Sequence, residues 1–353
     1  MTSLKKLDNK NLASEENSNG QNLSGGNSAW GNPNKKNSIG NLLPSGFYDL
    51  LFVEAKKNHD LINQILNGFF AKNFNLIKTA LLEFEENFDE TSRRGANQYF
   101  RSIDNVSGKS LILRSDITLQ INRLLSSRLK DIQFPLKLCY VGDVFRTNNE
   151  ELYGDRQQTQ IGCEIIGDDS NDADFVIIET TLQALDWLGL ERLIINFSFP
   201  DFLTIFINEL SLDQETKITL AEKIAEKNLS AIKELAPKYF SAIKEIILNN
   251  HDFFSLVAII KKYFLSTSLI NQLEKIEKIR LFINGNFAMI NQTFNLFSDG
   301  SNQYHKGFAF EIFYENFSYP LAIGGRYEIN NSRKKVEAVG STIYINNLRK
   351  IDL

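Results

Sequence analysis

The stretch QTQIGCEIIG, residues 158–167, decides the fold. Apolar and polar residues alternate along it, which predicts a β-strand. Because side chains alternate between the two faces of a strand, Gln160, Gly162 and Glu164 share one face. An amide, a glycine and a carboxylate there indicate a small cavity floored by backbone. Glu164 needs a partner if it is buried, either a neighbouring Arg or Lys or a ligand that carries an ammonium or a ring N–H.

Two neighbouring segments supply further polar groups. The preceding strand, PLKLCYVGDVFR (residues 135–146), ends at Arg146, which a hairpin would place beside the Gln160 end of its partner strand. Asp116 and Thr118 stand at the start of a short predicted helix, where capping of that helix is an alternative role. Together these groups are able to surround an amino acid, with its carboxylate on the arginine, its ammonium on Asp, Gln and Thr, and its side chain towards Glu164.

The bulk composition is that of an ordinary globular protein. The 353 residues are 42% hydrophobic and 23% charged, with a formal net charge of −4, so a broad nucleic-acid-binding surface is not expected. Cys139 and Cys163 lie in apparent strands and are predicted to be buried free thiols in a reducing compartment. The three histidines, His59, His251 and His305, lack metal-ligand spacing, so no metal site is expected. The sequence has no run of 18 apolar residues, so no membrane span is expected.

The chain is expected to have three parts. Residues 1–40 are rich in Asn, Ser, Gly and Lys, which predicts a disordered tail without the features of a signal or transit peptide, and hence a cytoplasmic protein. Residues 41–200 and 281–353 alternate strands with helices, whereas residues 201–280 show helical periodicity with little strand signal. The predicted architecture is α+β: a mostly antiparallel sheet flanked by helices, with residues 201–280 as a helical insertion.

Several elements of this core follow from local patterns. SDITLQINRLLSSRL, residues 115–129, predicts a helix capped by Ser115 or Asp116, and YFRSIDNVSGKSLILRSD, residues 99–116, predicts two strands around a Ser-Gly turn. A longer helix after PSGFYD has an apolar stripe with a spacing of four, formed by Leu61, Ile62, Ile65, Leu66, Phe69 and Phe70.

Six motifs, taken in order, resemble the catalytic core of the histidyl-tRNA synthetase family. The resemblance is stronger to the non-catalytic members that serve as regulatory subunits of ATP phosphoribosyltransferase, the first enzyme of histidine biosynthesis. It covers about Leu42 to Leu348 and rests on LPSGFYDLL, LILRSDITLQINR, CYVGDVFR, RQQTQIGCEIIG, YHKGFAFEIFY and GGRYE. It implies a class II synthetase-like fold, usually dimeric.

The resemblance also implies roles by position. The ammonium site of the family matches Asp116, Thr118 and Gln160, its motif-2 arginine matches Arg146, and its imidazole-reading carboxylate matches Glu164. A carboxylate can accept an imidazole N–H, which an apolar pocket cannot do.

The aromatic part of the implied histidine site is less regular. Tyr327, in GGRYE, is expected near the imidazole ring. A pair of tyrosines in the family matches Tyr304 and His305, so the second tyrosine is replaced here.

The sequence differs from the synthetase pattern at positions where synthetases carry phosphate-binding cations. Gly300, in GSNQYH, and Asn347, in YINNL, occupy positions where synthetases carry arginines, and Glu150 and Glu151 lie in the motif-2 loop. Adenylate formation needs such cations. The chain also ends at Leu353, which leaves no room for the anticodon-binding domain that follows the synthetase core. We therefore expect no catalytic residues, no cofactor and no tRNA binding.

The favoured hypothesis is a regulatory subunit, a homodimer within a hetero-oligomer, that activates a short-form catalytic subunit and helps to transmit histidine feedback. The tail and the 201–280 helices are candidate contact surfaces for it. Two alternatives stay open: a divergent or truncated histidyl-tRNA synthetase, and a stand-alone amino-acid-binding module with another partner.

Overall fold

The computed structural model describes residues 42–87, 99–147, 155–249, 252–264, 266–297, 305–331 and 334–351. Residues Leu43–Leu353 form one compact unit, which is described below. The predicted tail, residues 1–40, lies outside the described residues and stays a prediction. None of the helices in the described ranges is long and apolar enough to cross a bilayer.

Strands and helices follow one another in the order that the sequence patterns suggest. The strands are β1 (Asn75–Ile77), β2 (Leu82–Phe84), β3 (Arg101–Ile103), β4 (Ser110–Leu113), β5 (Leu136–Phe145), β6 (Gln157–Ile166), β7 (Leu193–Ser198), β8 (Asn291–Asn295), β9 (His305–Tyr314), β10 (Ala322–Asn331) and β11 (Lys334–Tyr344). The helices are α1 (Phe52–Ala71), α2 (Thr118–Ser126), α3 (Asn171–Asp186), α4 (Pro200–Glu209), α5 (Gln214–Ala225), α6 (Leu229–Leu235), α7 (Phe240–Leu248), α8 (Phe253–Tyr263), α9 (Thr267–Asn286) and α10 (Ile345–Arg349).

The larger sheet has the strand order β1-β5-β6-β11-β10-β9-β7-β8. Its neighbouring strands from β5 to β7 are antiparallel, whereas β1 pairs with β5, and β8 with β7, in parallel. A smaller antiparallel sheet has the order β2-β4-β3. Between β3 and β4, Gly108 adopts a φ of 72°, which suits glycine in the predicted turn. The α+β class and the mostly antiparallel sheet are confirmed.

The two faces of the larger sheet have different environments. On one face, Ile161, Cys163 and Ile165 join a large apolar core with residues of α1 and α3. Cys139 and Cys163 are both free and fully buried there, as predicted, and burial raises the pKa of Cys139 to about 11. The opposite face carries a smaller apolar cluster that includes residues of α2, β5 and β10. Gln160, Gly162 and Glu164 belong to this second face.

Helices α4 to α9 lie in the chain between β7 and β8 and span Pro200–Asn286. Several begin at a side chain that accepts a backbone N–H, as at Asp213 of α5 and Ser266 of α9. In α9 one face is buried, formed by Leu269, Leu273, Ile276, Ile279 and Ile283. The division of the chain into a core and an insertion at residues 201–280 stays a prediction.

One local prediction is wrong. Helix α2 begins at Thr118 with Ile117 as its N-cap residue, not Ser115 or Asp116. The Asp116 carboxylate reaches past the cap instead, and its Oδ1 accepts the backbone N–H of Thr118 at 2.7 Å. This bond spans two residues, as in an Asx turn, and it leaves the second oxygen of Asp116 for another partner.

Candidate ligand-binding site

Glu164 lies at the centre of the candidate site, and only 2% of it is exposed. The Tyr327 hydroxyl donates to Oε2 at 2.9 Å and the Thr118 hydroxyl donates to Oε1 at 3.1 Å. The Tyr140 hydroxyl lies 3.5 Å from the same Oε1. Strands β5 and β10 and helix α2 each contribute one hydroxyl, so the carboxyl group is held by three separate elements. No Arg or Lys side chain pairs with it among the described residues.

Gly162 does not leave a cavity, contrary to the expectation from its sequence. Gly162 pairs with Tyr140 of β5 on one side and with Thr342 of β11 on the other. A Cβ at residue 162 would lie 2.5 Å from the ring and hydroxyl of Tyr140. The glycine therefore makes room for this ring, whose hydroxyl lies 2.7 Å from the Thr342 hydroxyl. Tyr140 and Thr342 were not predicted, although both lie on the predicted face in register with Gly162.

Gly340 makes room for the Glu164 side chain, as Gly162 does for Tyr140. It lies directly opposite Glu164 in β11, and a Cβ there would come within 1.5 Å of the carboxylate Oε2. The carboxyl group thus lies over the backbone of the neighbouring strand. The sequence could have indicated this only through the strand register, which a single sequence does not provide.

The three residues predicted to bind the ammonium, Asp116, Thr118 and Gln160, lie close together. Gln160 is fully buried, and its Nε2 donates to Asp116 Oδ2 at 3.3 Å. Its Oε1 is buried and has no hydrogen-bond partner within the described ranges. Thr118 links this pair to Glu164, because its N–H bonds Asp116 and its hydroxyl bonds Glu164. An acceptor without a donor beside a carboxylate suits a group with several N–H bonds, such as an ammonium.

Arg146 lies at the end of the β5–β6 hairpin. Its backbone N–H donates to Arg156 O at 3.0 Å, so it faces Arg156 across the hairpin, whereas Gln160 faces Gly142. The Arg146 Nε donates to Ser115 O at 3.2 Å, one residue before Asp116. The Arg146 side chain is therefore anchored at the edge of the site, next to the backbone that carries Asp116.

His305 lies directly opposite Tyr327 in the β9–β10 pair, so the two side chains share the face of the site. Its Nδ1 lies 3.2 Å from Arg326 O. A carbonyl oxygen only accepts, so Nδ1 carries a proton, and in the neutral ring Nε2 is then an acceptor. Burial lowers the pKa of His305, which favours the neutral form. Tyr304 and Gly300 lie outside the described residues, so their predicted roles stay predictions.

Next to the site lies a buried arginine, Arg326, which the sequence analysis did not identify. Arg326 precedes Tyr327, and its Nε lies 2.6 Å from Asp174 Oδ1 near the start of α3. Its other nitrogens donate to the backbone oxygens of Asp168 and Ser170. Arg326 therefore joins β10 to the segment between β6 and α3, and its carbonyl orients His305.

Asn347, which is predicted to replace the last synthetase arginine, is fully buried. Its Nδ2 donates to Pro320 O at 2.8 Å. The neighbouring Asn346 bonds Tyr48, Thr159 and Asp155. The side chains of both asparagines in α10 thus form hydrogen bonds within the protein.

The environment of Glu164 determines its protonation. Burial raises the pKa of Glu164 to about 8, although the hydroxyls of Tyr327 and Thr118 oppose the shift. The carboxyl group therefore retains its proton at neutral pH. A ligand that brings a positive charge, such as an imidazolium ring, would favour the ionised form, and a neutral ring N–H would find an acceptor oxygen.

This pKa gives the first testable prediction, for Glu164→Gln. The unfolded carboxyl group ionises near its ordinary pKa of 4.5, whereas the folded one retains its proton up to about pH 8. The unfolded state therefore binds fewer protons in this window, and the wild-type free energy of unfolding should fall as pH rises from 5 to 8, by about 1 kcal/mol per pH unit. The variant lacks this contribution, so the difference between the two proteins, measured by urea unfolding, should change with pH. A constant difference would contradict the raised pKa.

Two open grooves lie away from the candidate site. They have volumes of about 550 and 810 Å³ and run along α1, and both are lined by Tyr48, Asp49, Leu50 and Asn58. Neither contains a predicted site residue. The candidate site is instead a closely packed cluster in which the polar groups largely contact one another, so a ligand would have to replace some of these contacts.

The eight-stranded sheet, its flanking helices and the polar cluster on β6 define a class II aminoacyl-tRNA synthetase-like fold. The family model described as histidyl-tRNA synthetase matches residues 46–348. The chain belongs to the histidyl-tRNA synthetase family.

Similar proteins carry more specific names. An ATP phosphoribosyltransferase regulatory subunit from Paramagnetospirillum magneticum is 25% identical over 308 residues, which cover 87% of this chain and 80% of that protein. A solved structure from Bacillus halodurans C, described as an ATP phosphoribosyltransferase regulatory subunit/histidyl-tRNA synthetase, has a TM-score of 0.77 at 22% identity and covers 89% of this chain and 84% of that chain. An ATP phosphoribosyltransferase complex from Thermotoga maritima has a TM-score of 0.64 at 18% identity, covering 82% of this chain and 97% of that chain. Further curated relatives carry the regulatory-subunit name.

Proposed function

We propose that this chain is a non-catalytic regulatory subunit of ATP phosphoribosyltransferase. Its relatives carry that name over most of the chain, and a member of the same fold comes from an ATP phosphoribosyltransferase complex. By this proposal, the chain forms a homodimer within a hetero-oligomer in the cytoplasm. It is required for the activity of a short-form catalytic subunit and transmits feedback by histidine in the first step of histidine biosynthesis.

The polar cluster around Glu164 is the proposed histidine site. The imidazole ring lies against Glu164 and Tyr327, with His305 beside them, and the ammonium binds Asp116, Thr118 and the unpaired Oε1 of Gln160. Arg146 and Tyr304 complete the proposed set. An apolar side chain has no N–H to donate to Glu164. The site therefore discriminates against apolar amino acids.

The observation that carries the non-catalytic part of the proposal is the state of Asn347. At this position a synthetase arginine would neutralise ATP phosphates, whereas Asn347 is uncharged and bonded to Pro320 O. Gly300, at the other arginine position, has no side chain to replace that charge. The amino-acid site is thus proposed to bind histidine without activating it and to have no tRNA substrate.

Reconstitution tests this proposal directly. The purified chain is mixed with a short-form catalytic subunit, and complex formation and phosphoribosyltransferase rate are measured together. We expect a stable complex whose rate exceeds that of the catalytic subunit alone. If no complex forms and the rate does not rise, the chain is not this regulatory subunit.

Histidyl-tRNA synthetase activity is the alternative that the family membership favours. It predicts histidine-dependent exchange of pyrophosphate into ATP, because adenylate formation is reversible. We expect no exchange above the background of a Glu164→Gln control. Exchange that depends on histidine and on Glu164 would establish the alternative.

A further inference from the structure

Gln158 is a buried amide on the face of the candidate site. Only 1% of it is exposed, and neither its Oε1 nor its Nε2 has a hydrogen-bond partner among the residues that the structure describes. It precedes Gln160 by two residues in β6, so the two side chains share one face. Its register partner, Val144, belongs to the same apolar cluster as Tyr140, which places Gln158 on the face of the site.

An unpaired buried amide is unfavourable for folding. A buried donor or acceptor without a partner costs about 1–3 kcal/mol, whereas an apolar side chain of the same shape avoids this penalty. Gln158 has both a donor and an acceptor in this state. Folding alone would therefore favour a residue such as methionine, and a partner from outside the chain accounts for the amide.

The position of Gln158 indicates which part of a ligand it contacts. Gln158 and Gln160 are about 7 Å apart along the strand, on the side of Gln160 away from Glu164. A ligand with its ring at Glu164 and its ammonium at Gln160 directs its remaining group towards Gln158. In an α-amino acid that group is a carboxylate, which accepts an amide N–H.

We infer that Gln158 binds the α-carboxylate of the bound amino acid through Nε2 and makes the site selective for amino acids over their decarboxylated or reduced analogues. This inference rests on the proposed histidine site and extends it by one residue. Arg146, anchored by Ser115 O, supplies the positive charge at the same end. The Gln158 amide would add one further N–H donor beside this guanidinium.

The test compares histidine with histidinol, which keeps the ring and the ammonium but has a hydroxymethyl group in place of the carboxylate. Both are titrated calorimetrically into the full-length wild-type chain and into Gln158→Met. We expect histidine affinity to fall about tenfold in the variant, which loses one hydrogen bond to a charged group. Histidinol affinity should fall less, because its hydroxyl oxygen accepts only a weaker, uncharged hydrogen bond. Gln158→Glu, which sets a negative charge against the carboxylate, should weaken histidine binding further and spare histidinol.

Gln157→Met is the matched control, because the Gln157 side chain lies on the opposite face and donates to Asp143. It should leave the histidine-to-histidinol ratio of the wild type intact. Gln158→Met should also raise the Tm of the ligand-free protein, because it removes an unpaired amide.

The outcomes distinguish a failure of the role of Gln158 from a failure of the proposed function. If the wild type binds histidine and Gln158→Met weakens both ligands equally or neither, the inference is wrong and the proposed site stands. If the wild type binds no histidine, alone or with its catalytic partner, the proposed function fails and the role of Gln158 fails with it.

Discussion

Replacing Arg326 by methionine is expected to lower the free energy of unfolding by about 3–5 kcal/mol, because it leaves the buried Asp174 carboxylate without its partner. Only 9% of Arg326 is exposed, and its guanidinium also satisfies the backbone oxygens of Asp168 and Ser170. Methionine preserves most of the volume, so the loss reports on charge and hydrogen bonding rather than on a cavity. Urea unfolding monitored by circular dichroism measures it.

A double-mutant cycle provides the control for this prediction. Asp174→Asn in the Arg326→Met background removes a carboxyl group that has already lost its partner, so it should cost less stability there than in the wild type. If the second substitution adds its own full destabilisation instead, the two groups do not interact, and the ion pair is not what joins β10 to the segment before α3.

Replacing Gly340 by alanine should have the next largest effect. The added methyl group would lie 1.5 Å from the Glu164 carboxylate oxygen that accepts the Tyr327 hydroxyl. The carboxyl group must move, and it loses a hydrogen bond in a buried setting. We expect the free energy of unfolding to fall by roughly 2–4 kcal/mol, as overpacking and a broken hydrogen bond combine. Histidine binding should be lost as well, because Glu164 no longer faces the ring.

Gly285→Ala is a matched control for this substitution. Gly285 lies within α9, and a Cβ there would meet nothing within 4 Å. Alanine should stabilise this helix by about 0.5–1 kcal/mol and leave ligand binding unchanged. If Gly340→Ala is as well tolerated as this control, Glu164 does not lie against the β11 backbone.

The face of β6 could be read from the sequence because side-chain alternation is a local property. Gln160, Gly162 and Glu164 share a face in the structure, and Asp116 and Thr118 contact two of them. The contacts across strands could not be read in this way. Tyr140 fills the space above Gly162 only because β5 and β6 pair in one particular register, and a shift of one residue would turn it to the other face.

Arg326 illustrates a second limit of the sequence. An arginine in GGRYE gives no sign by itself of whether it faces a ligand, solvent or another buried group. Its role depends on Asp174, about 150 residues earlier in the chain, and on the backbone of the segment after β6. Likewise, the helix cap at Asp116 was mispredicted because the carboxylate bonds across two residues and shares its second oxygen with Gln160.

We propose that histidine is sensed at Glu164 by a chain that does not itself use it as a substrate. The most direct test measures the rate of the reconstituted ATP phosphoribosyltransferase against histidine concentration, with wild-type and Glu164→Gln chains, each normalised to its own uninhibited rate. We expect the substitution to raise the half-inhibitory histidine concentration by about tenfold or more, because the ring loses the buried carboxyl group to which it is proposed to bond. Identical inhibition curves for the two complexes would contradict it.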